Sequence, residues 1–472
     1  MRANRFLGRM VTGLALVMSG VMSACTVGPN YKRPVVDTPV AYRSAQAPAA
    51  GDAQSLADQQ WSAIFQDQAL QALIQRALAQ GYDVRAAAAR VLEAQARLGV
   101  VRADQFPTVS AGVSEGGQRT SESVTGSRRG SVNYTQLVAS SAWQLDFWGR
   151  YRRATEAARA SLLASEWGRR AVMATVVSEV AEGYFRLRML DASLDASKGT
   201  LDLRRESLRL TQVREQGGET SLVDVRQAEQ LVYEATAEIA TLERQIEQQE
   251  NFISVLLGDN PGPIARGNGL TEQPQPPDVP AGLPSALLER RPDVQEAEQQ
   301  LVAANAEIGV AKAAYFPTIS LTGSAGVQST ALTTLFSGGN TIWSGAAGLV
   351  QPIFTAGRTR SEVAVAEARR EQAVLGYQQT VRQAFREVSD ALVGYRKLRE
   401  FRAQQELLLA SAEDARRLAD VRYRGGATSY LEVLDADTRR FNAQLGVSDA
   451  QFQELSALVE IYRALGGGWS AP

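Results

Sequence analysis

The chain contains two short stretches in which a helical pattern turns directly into a strand pattern: RADQFPTVS at residues 102–110 and KAAYFPTIS at residues 312–320. Proline cannot continue a helix, and it pushes the residue before it towards extended backbone. Small polar and apolar residues alternate after Phe106-Pro107 and again after Phe316-Pro317, which is the period of a β-strand. Each stretch therefore predicts a helix that becomes a strand with almost no loop between them.

The sequence repeats itself well beyond these two turns. Phe106 and Phe316 are 210 positions apart, and the segment RLTQVREQGGETS at 209–221 matches RLADVRYRGGATS at 417–429 at an offset of 208. Residues 148–150 match residues 356–358 at the same offset. Three separate blocks at nearly one offset predict two similar halves. We expect a signal peptide at 1–24, a first repeat at 25–260, a proline-rich linker at 261–284 and a second repeat at 285–472.

Composition excludes several functional classes. Of the 472 residues, 44% are apolar, none is histidine and one is cysteine. This removes histidine bases, Cys-His nucleophiles and nearly all zinc sites, so we expect no enzyme activity, cofactor or bound metal. The charge is balanced, with 50 basic and 51 acidic residues and no basic tail, so we expect no nucleic-acid partner.

The N-terminal residues are typical of a secreted lipoprotein. Three arginines precede an apolar run from Met10 to Val21, which is too short to span a bilayer but suits a secretory signal. The segment ends in Met22-Ser23-Ala24-Cys25, which is similar to a bacterial lipobox, with Cys25 as the acylated residue. Thr26 follows, instead of the aspartate that favours inner-membrane retention, and this indicates the outer membrane. The alternative is an ordinary signal peptide with an incidental cysteine.

Four strands are expected, near residues 108–115, 134–145, 318–328 and 342–351. Their length suits tilted transmembrane β-strands, and aromatic residues lie near their ends, as in membrane barrels. The alternative is a soluble sandwich. Four strands cannot close a barrel, so several protomers would share one; two copies would give a filled interior, and three would leave room for a channel.

Two long segments without proline, 150–216 and 358–424, predict helices of roughly 100 Å at about 1.5 Å per residue. Each segment is followed by a glycine pair, Gly217-Gly218 or Gly425-Gly426. Glycine commonly ends a helix, so each pair predicts a helix end. A returning helix is expected after each pair, at 222–257 and 431–465. The fold is thus predicted to be mixed α and β, mainly α, with long hairpins at 150–257 and 358–465.

Several motifs together resemble those of the outer membrane factor (TolC-like) family, in the lipoprotein branch that works with resistance–nodulation–division (RND) efflux pumps. The motifs are the two Phe-Pro-Thr turns, Cys25 followed by GPNYKRP at 28–34, ERRPDV at 289–294, PIFTAGR at 352–358 and ALGGGW at 464–469. The resemblance covers essentially the whole mature chain.

The resemblance implies a homotrimer with a twelve-strand barrel in the lipid of the outer membrane, continued by a helical barrel across the periplasm. It also implies a periplasmic adaptor and an inner-membrane RND-type pump as partners, and a passive duct that does no chemistry. The transported substrate is not written in the sequence. Three alternatives stay open: a metal-ion efflux duct, a periplasmic coiled-coil adaptor and an enzyme.

The resemblance places an acidic ring after the second glycine pair. Glu432 and Asp435 are three positions apart and share one helix face. Around a three-fold axis they would form a ring of carboxylates at the periplasmic entrance and recruit cations. The alternative is an ordinary solvated helix face.

The resemblance also implies a gate in which Tyr423 hydrogen-bonds to Asp224 and holds the inner hairpin closed. Thr428 stands where the best-known gate of the family has an arginine, so closure would rely more on Leu431 and the tips. The alternative is that Tyr423 is a packing residue and that Asp224 is a charge at a helix N-terminus.

Overall fold

The computed structural model describes residues 26–39, 42, 59–119, 131–273 and 284–467. The α-helices in this part of the chain are α1 (Trp61–Ile64), α2 (Gln68–Gln80), α3 (Tyr82–Ala103), α4 (Arg150–Gln216), α5 (Leu222–Leu257), α6 (Pro284–Arg290), α7 (Pro292–Ala313), α8 (Arg358–Arg424) and α9 (Tyr430–Ala464). The strands are β1 (Thr108–Arg119), β2 (Ser131–Leu145), β3 (Thr318–Ser329) and β4 (Thr341–Val350). Short 3₁₀ turns lie at Leu270–Glu272 and Leu332–Thr334.

The four strands form one antiparallel sheet in the order β1-β2-β3-β4. Strands β2 and β3 pair from Leu145↔Ile319 to Thr135↔Ser329, although the whole first hairpin separates them in sequence. In the described residues, the outer edges of β1 and β4 have no strand partner. The sheet is therefore open on both sides.

The strand register gives the sheet two chemically different faces, because directly paired residues lie on the same face. One face is mainly apolar and carries Val109, Val113, Leu137, Trp143, Ile319, Leu321, Val327, Trp343 and Leu349. The other is mainly polar and carries Ser110, Ser114, Gln136, Ser140, Gln144, Ser320, Thr322, Ser324 and Ser344. On the polar face the hydroxyls of Ser110 and Ser140 lie 3.0 Å apart.

The first hairpin of the sheet is longer than predicted. The sequence predicted strands near residues 108–115 and 134–145, but β1 continues to Arg119 and β2 already begins at Ser131. Gly116 pairs with Tyr134, and a Cβ atom at Gly116 would lie 3.0 Å from the Tyr134 ring. The aromatic ring thus covers the glycine across the strands, which compensates for its missing side chain. Glycine gives no alternation signal, so the sequence pattern missed these residues.

The helix-to-strand turns are short, as their proline residues predict. Helix α3 ends four residues before Pro107, and α7 ends four residues before Pro317. Trp148 fixes the second turn: its indole Nε1 donates to the carbonyl of Pro317 over 2.7 Å, and its ring stacks on Phe316 at 4.8 Å.

Helices α4, α5 and α8 begin and end at the expected residues, and α9 begins and ends one residue earlier than expected. Helices α4 and α8 are 67 residues each, and α5 and α9 have 36 and 35 residues. Helices α3 and α7 are 22 residues each, and β1 and β3 are 12 each.

The described residues form two compact units. The first contains the sheet and takes in the described residues of 26–34, 92–119, 131–164 and 297–377. The second takes in those of 35–39, 42, 59–91, 165–273, 284–296 and 378–467. Each unit therefore draws on both predicted halves of the sequence.

The N-terminal arm is fixed within the first unit. The amide of Val27 donates to the carbonyl of Trp148 over 3.1 Å, and Arg153 donates to the Asn30 side chain over 2.7 Å. Gly28 has a left-handed backbone, with φ +102°, and a Cβ atom there would lie 2.5 Å from Gly309. Only glycine allows so close an approach to the helix.

A buried carboxylate, Asp67, organises part of the second unit. Its donors are the amides of Ala69 and Leu70, the hydroxyl of Tyr184, the amide of Asn268 and the side chain of Gln273, at 2.8 to 3.4 Å. Burial raises the pKa of Asp67, but these hydrogen bonds outweigh it and hold that pKa below its ordinary value. They also fix residues 267–273, which the sequence assigned to the linker, against α2 and α4.

Candidate gate at the tips of the helical hairpins

Each long hairpin turns at a glycine pair with the same backbone geometry. Gly218 and Gly426 have φ of +76° and +73°, in the left-handed region that other residues rarely adopt. The closing hydrogen bonds run from the Glu219 amide to the Arg214 carbonyl and from the Ala427 amide to the Arg422 carbonyl, both 2.9 Å. This is the Schellman motif, and it explains why each helix ends at its glycine pair.

The helices that return from the tips begin in similar ways. The carboxylate of Asp224 accepts a hydrogen bond from the Ser221 amide over 3.2 Å and another from the hydroxyl of Thr220. At the second tip, Glu432 accepts from the hydroxyl of Thr428. A carboxylate at this position accepts a hydrogen bond from an otherwise unpaired backbone amide and is stabilised by the positive end of the helix dipole. Asp224 is therefore a helix-capping residue.

Tyr423 is buried, with 6% of its surface exposed, and acts here through its ring. The ring lies 5.4 Å from that of Tyr430, and the guanidinium of Arg214 lies over it at 4.7 Å. Its hydroxyl has no hydrogen-bond partner in the part of the chain that the structure describes. Among the described residues, the expected hydrogen bond between Tyr423 and Asp224 is absent, and the Asp224 carboxylate caps its own helix instead.

Both carboxylates of the expected acidic ring have arginine partners. Glu432 lies 3.2 Å from Arg422, and Asp435 lies 2.9 Å from Arg439, one helical turn further along α9. Leu431, beside Glu432, is exposed. These pairs reduce the negative charge that the sequence analysis assigned to this face. The spacing of Asp435 and Arg439 was a visible signal of the second pair.

A buried ion pair that the sequence did not predict lies further from the tips. Arg204 on α4 and Asp437 on α9 are 4% and 5% exposed, and Arg204 Nε donates to Asp437 over 2.9 Å. Arg204 also donates to the carbonyl of Leu231 on α5 over 2.9 Å and lies 5.1 Å from the ring of Phe441. The pair joins helices of both hairpins.

Two further arginines surround the same carboxylate. Arg416 and Arg440 lie 3.7 and 3.8 Å from Asp437, and the Nε atom of each is buried with no hydrogen-bond partner among the described residues. Burial lowers the pKa of Arg440, and the charges of Arg416 and Arg204 lower it further against the opposing effect of Asp437. One carboxylate thus serves three guanidinium groups.

A family model described as "Outer membrane efflux protein" matches residues 73–259 and 283–467. The chain belongs to this family. It is a channel protein of the outer membrane and not an enzyme.

Relatives within the outer membrane efflux protein family cover nearly the whole chain. The probable efflux pump outer membrane protein TtgC of Pseudomonas putida is 38% identical over 461 residues, which are 96% of this chain and 94% of TtgC. The cation efflux system protein CusC of Escherichia coli is 33% identical over 457 residues, 97% of each chain. The crystal structure of a membrane protein from Pseudomonas aeruginosa has a TM-score of 0.87 at 34% identity and covers 94% of this chain and 100% of that one.

The expected lipidation site of this outer membrane efflux protein lies outside the described residues. Cys25 is not among the described residues. Within the described residues, no three His, Cys, Asp or Glu side chains are grouped so that they could hold a metal ion. No helix of those residues is long and apolar enough to cross a membrane.

Proposed function

We propose that three copies of this chain form the exit duct of a tripartite efflux system, which receives its cargo from an inner-membrane RND-type pump through a periplasmic adaptor. The chain is an efflux channel of the outer membrane, and the observation that carries the trimer is the open sheet. Strands β1 and β4 each leave one row of backbone groups unpaired, which is costly in lipid. Three copies joined edge to edge give a closed barrel of twelve strands with room for a channel.

The two faces of the sheet support this arrangement. The apolar face would contact lipid, and the face lined by serine, threonine and glutamine would line a water-filled lumen. Trp343, which is exposed in the single chain, lies on the apolar face two residues after the start of β4, where interfacial aromatic residues are expected.

The chain itself would consist of two structural repeats. The family model matches twice, with starts at residues 73 and 283, and the long helices, the pair α3 and α7, and the pair β1 and β3 have equal or nearly equal lengths in the two halves. Each repeat then supplies two strands to the barrel and one hairpin to the periplasmic tunnel.

The proposal places the gate at the hairpin tips. Leu431, Glu432 and Asp435 would face the tunnel entrance, where the arginine partners of the two acids tune the charge of the ring. Asp224 would keep the first tip rigid as a helix cap, and Tyr423 would hold the second through ring packing.

Lipid attachment at Cys25 is also part of the proposal. The hydrogen bond from Val27 to Trp148 fixes the arm three residues after the end of β2. Cys25 comes two residues before Val27 in the sequence. Acyl chains on Cys25 would anchor this end of the arm in the membrane.

The proposal is tested by purification of the full-length protein and by complementation. We expect a trimer in mass photometry and channel openings in planar bilayers. In a strain that lacks its own outer-membrane channel but keeps a matching pump and adaptor, the protein should restore resistance to the cargo. Toluene, antibiotics and metal-cation salts would be compared, because relatives are named for toluene, antibiotic and cation efflux. A monodisperse monomer without channel activity would refute the proposal.

A further inference from the structure

Because the sequence repeats, every pair of residues in contact between α4 and α9 has a corresponding pair of positions on α8 and α5. At the offset of 208, α4 corresponds to α8 and α5 corresponds to α9. Within one chain, α4 contacts α9, for example through Arg204 and Asp437. The matching surfaces are those of α8 and α5.

One face of α5 is exposed although its counterpart on α9 is buried. Tyr430 and Phe441 on α9 are 3% and 8% exposed, because they pack in the contact with α4. Their counterparts at the 208 offset are Leu222 and Tyr233, which are 55% and 66% exposed. Two large apolar side chains at buried-type positions indicate a face that lacks its partner helix.

At the hairpin tips, the offset of 208 relates a contact within the chain to a pair of opposite charges, Arg422 and Glu215. Arg214 on α4 reaches Tyr423 on α8, with its guanidinium 4.7 Å from the ring centre and Nη1 3.3 Å from the carbonyl. The counterpart of Arg214 is Arg422, and that of Tyr423 is Glu215. In the described structure, the Glu215 side chain has neither an ion pair nor a hydrogen bond, whereas Arg422 is paired with Glu432.

We propose that helix α8 of one copy packs on the Leu222 and Tyr233 face of α5 in the next copy, and that Arg422 pairs with Glu215 across this contact. The occupant of the exposed face is a second copy of this chain, since only the repeat supplies a helix whose residues match it. This inference rests on the proposed trimer and assigns the residues of its seams near the tips.

The contact gives Arg422 two carboxylate partners. Within its own chain it binds Glu432, and across the seam it reaches Glu215, so it links the acidic ring to the neighbouring copy. Outward movement of one tip separates Arg422 from Glu215 and leaves the pair with Glu432 intact. Three such seams oppose opening together. An exposed ion pair shifts an equilibrium roughly twofold, so three acting jointly shift it roughly eightfold.

Cross-linking between two differently tagged chains tests the contact directly. One chain carries Glu215→Cys and the other Arg422→Cys, and both are expressed together in full-length form. We expect a disulfide or short bismaleimide cross-link that joins the two tags in one band. Neither variant expressed alone should cross-link. As a matched control, Asp202→Cys, an exposed acid on the same helix as Glu215, should not cross-link to Arg422→Cys.

Charge reversal tests the role of the pair. Glu215→Arg or Arg422→Glu should each raise the frequency of channel opening about eightfold in planar bilayers, and the combined reversal should return it to near the wild-type value. Glu432→Gln removes the carboxylate that Arg422 binds within its own chain, together with one charge of the acidic ring, but leaves Glu215 and Arg422 in place, so it serves as the control for Arg422→Glu.

The outcomes separate this inference from the proposed function. If wild-type protein is not trimeric, the duct itself is refuted. If it is trimeric and the mixed chains do not cross-link, or the combined reversal opens the channel as much as the single ones, the assigned seam is wrong. Because the cross-link uses only single substitutions on separate chains, it remains informative where the doubly reversed protein fails to fold.

Discussion

Replacement of Asp437 by asparagine removes the one negative charge that three arginines share. In the native protein Arg204 Nε lies 2.9 Å from Asp437, and Arg416 and Arg440 lie within 4 Å. Asp437 and Arg204 are almost completely buried, so water cannot replace the lost interaction. Asp437→Asn preserves side-chain size and leaves three guanidinium groups around a neutral amide.

Removal of one partner from a buried ion pair costs about 3–5 kcal/mol. The asparagine oxygen still accepts a hydrogen bond from Arg204, so we expect the lower limit, about 3 kcal/mol per protomer. At roughly 2–4 °C per kcal/mol, this corresponds to a fall in melting temperature of about 6–12 °C. Arg204→Met should cost less, because Arg416 and Arg440 remain beside Asp437.

The matched control is Asp435→Asn on the same helix. Asp435 is exposed and pairs with Arg439 on the surface, so its loss should cost at most about 0.5 kcal/mol. Thermal unfolding of the detergent-solubilised protein, followed by far-UV circular dichroism, gives the comparison. If Asp437→Asn and Asp435→Asn unfold at the same temperature, the buried pair does not stabilise the junction of the hairpins.

Three further predictions concern buried polar groups. Asp67→Asn should lower the free energy of unfolding by about 2 kcal/mol at neutral pH. Because folding lowers the pKa of Asp67, the stabilisation by its carboxylate is complete above about pH 3.9 and is lost as the pH falls through the pKa of the folded state. The gap in melting temperature to wild type should therefore narrow in acid, and a pH-independent gap would contradict this. Arg440→Met should leave the melting temperature unchanged or raise it, because burial disfavours the charged form of Arg440. A fall of several degrees would show that the hydrogen bonds from Arg440 to Gln444 and Thr200 outweigh this cost. Tyr423→Phe should be neutral or stabilising by about 1 kcal/mol, since the buried hydroxyl has no partner in the described chain. Lower stability of the purified protein would mean that the hydroxyl is bonded to another copy of the chain.

The sequence by itself determined the features that depend on neighbouring residues. The glycine pairs set the ends of α4 and α8, and the prolines set the helix-to-strand turns, because φ restrictions and helix caps act over a few residues. The repeat was visible for the same reason, since each half carries the same local signals. The family resemblance, read from short motifs, then identified the protein class that the comparisons establish.

The tertiary structure decided which distant groups meet. Arg204 and Asp437 are 233 residues apart, and nothing in either local pattern distinguishes them from the solvated charges around them. The extra length of β1 depends on Tyr134 across the hairpin, and the role of Tyr423 depends on rings and charges from other helices. Asp224 had two possible partners, its own helix and Tyr423, and only the three-dimensional arrangement shows that the nearby amide takes it. Long-range pairing is set by the packing of whole helices and strands, and a local sequence pattern does not contain that information.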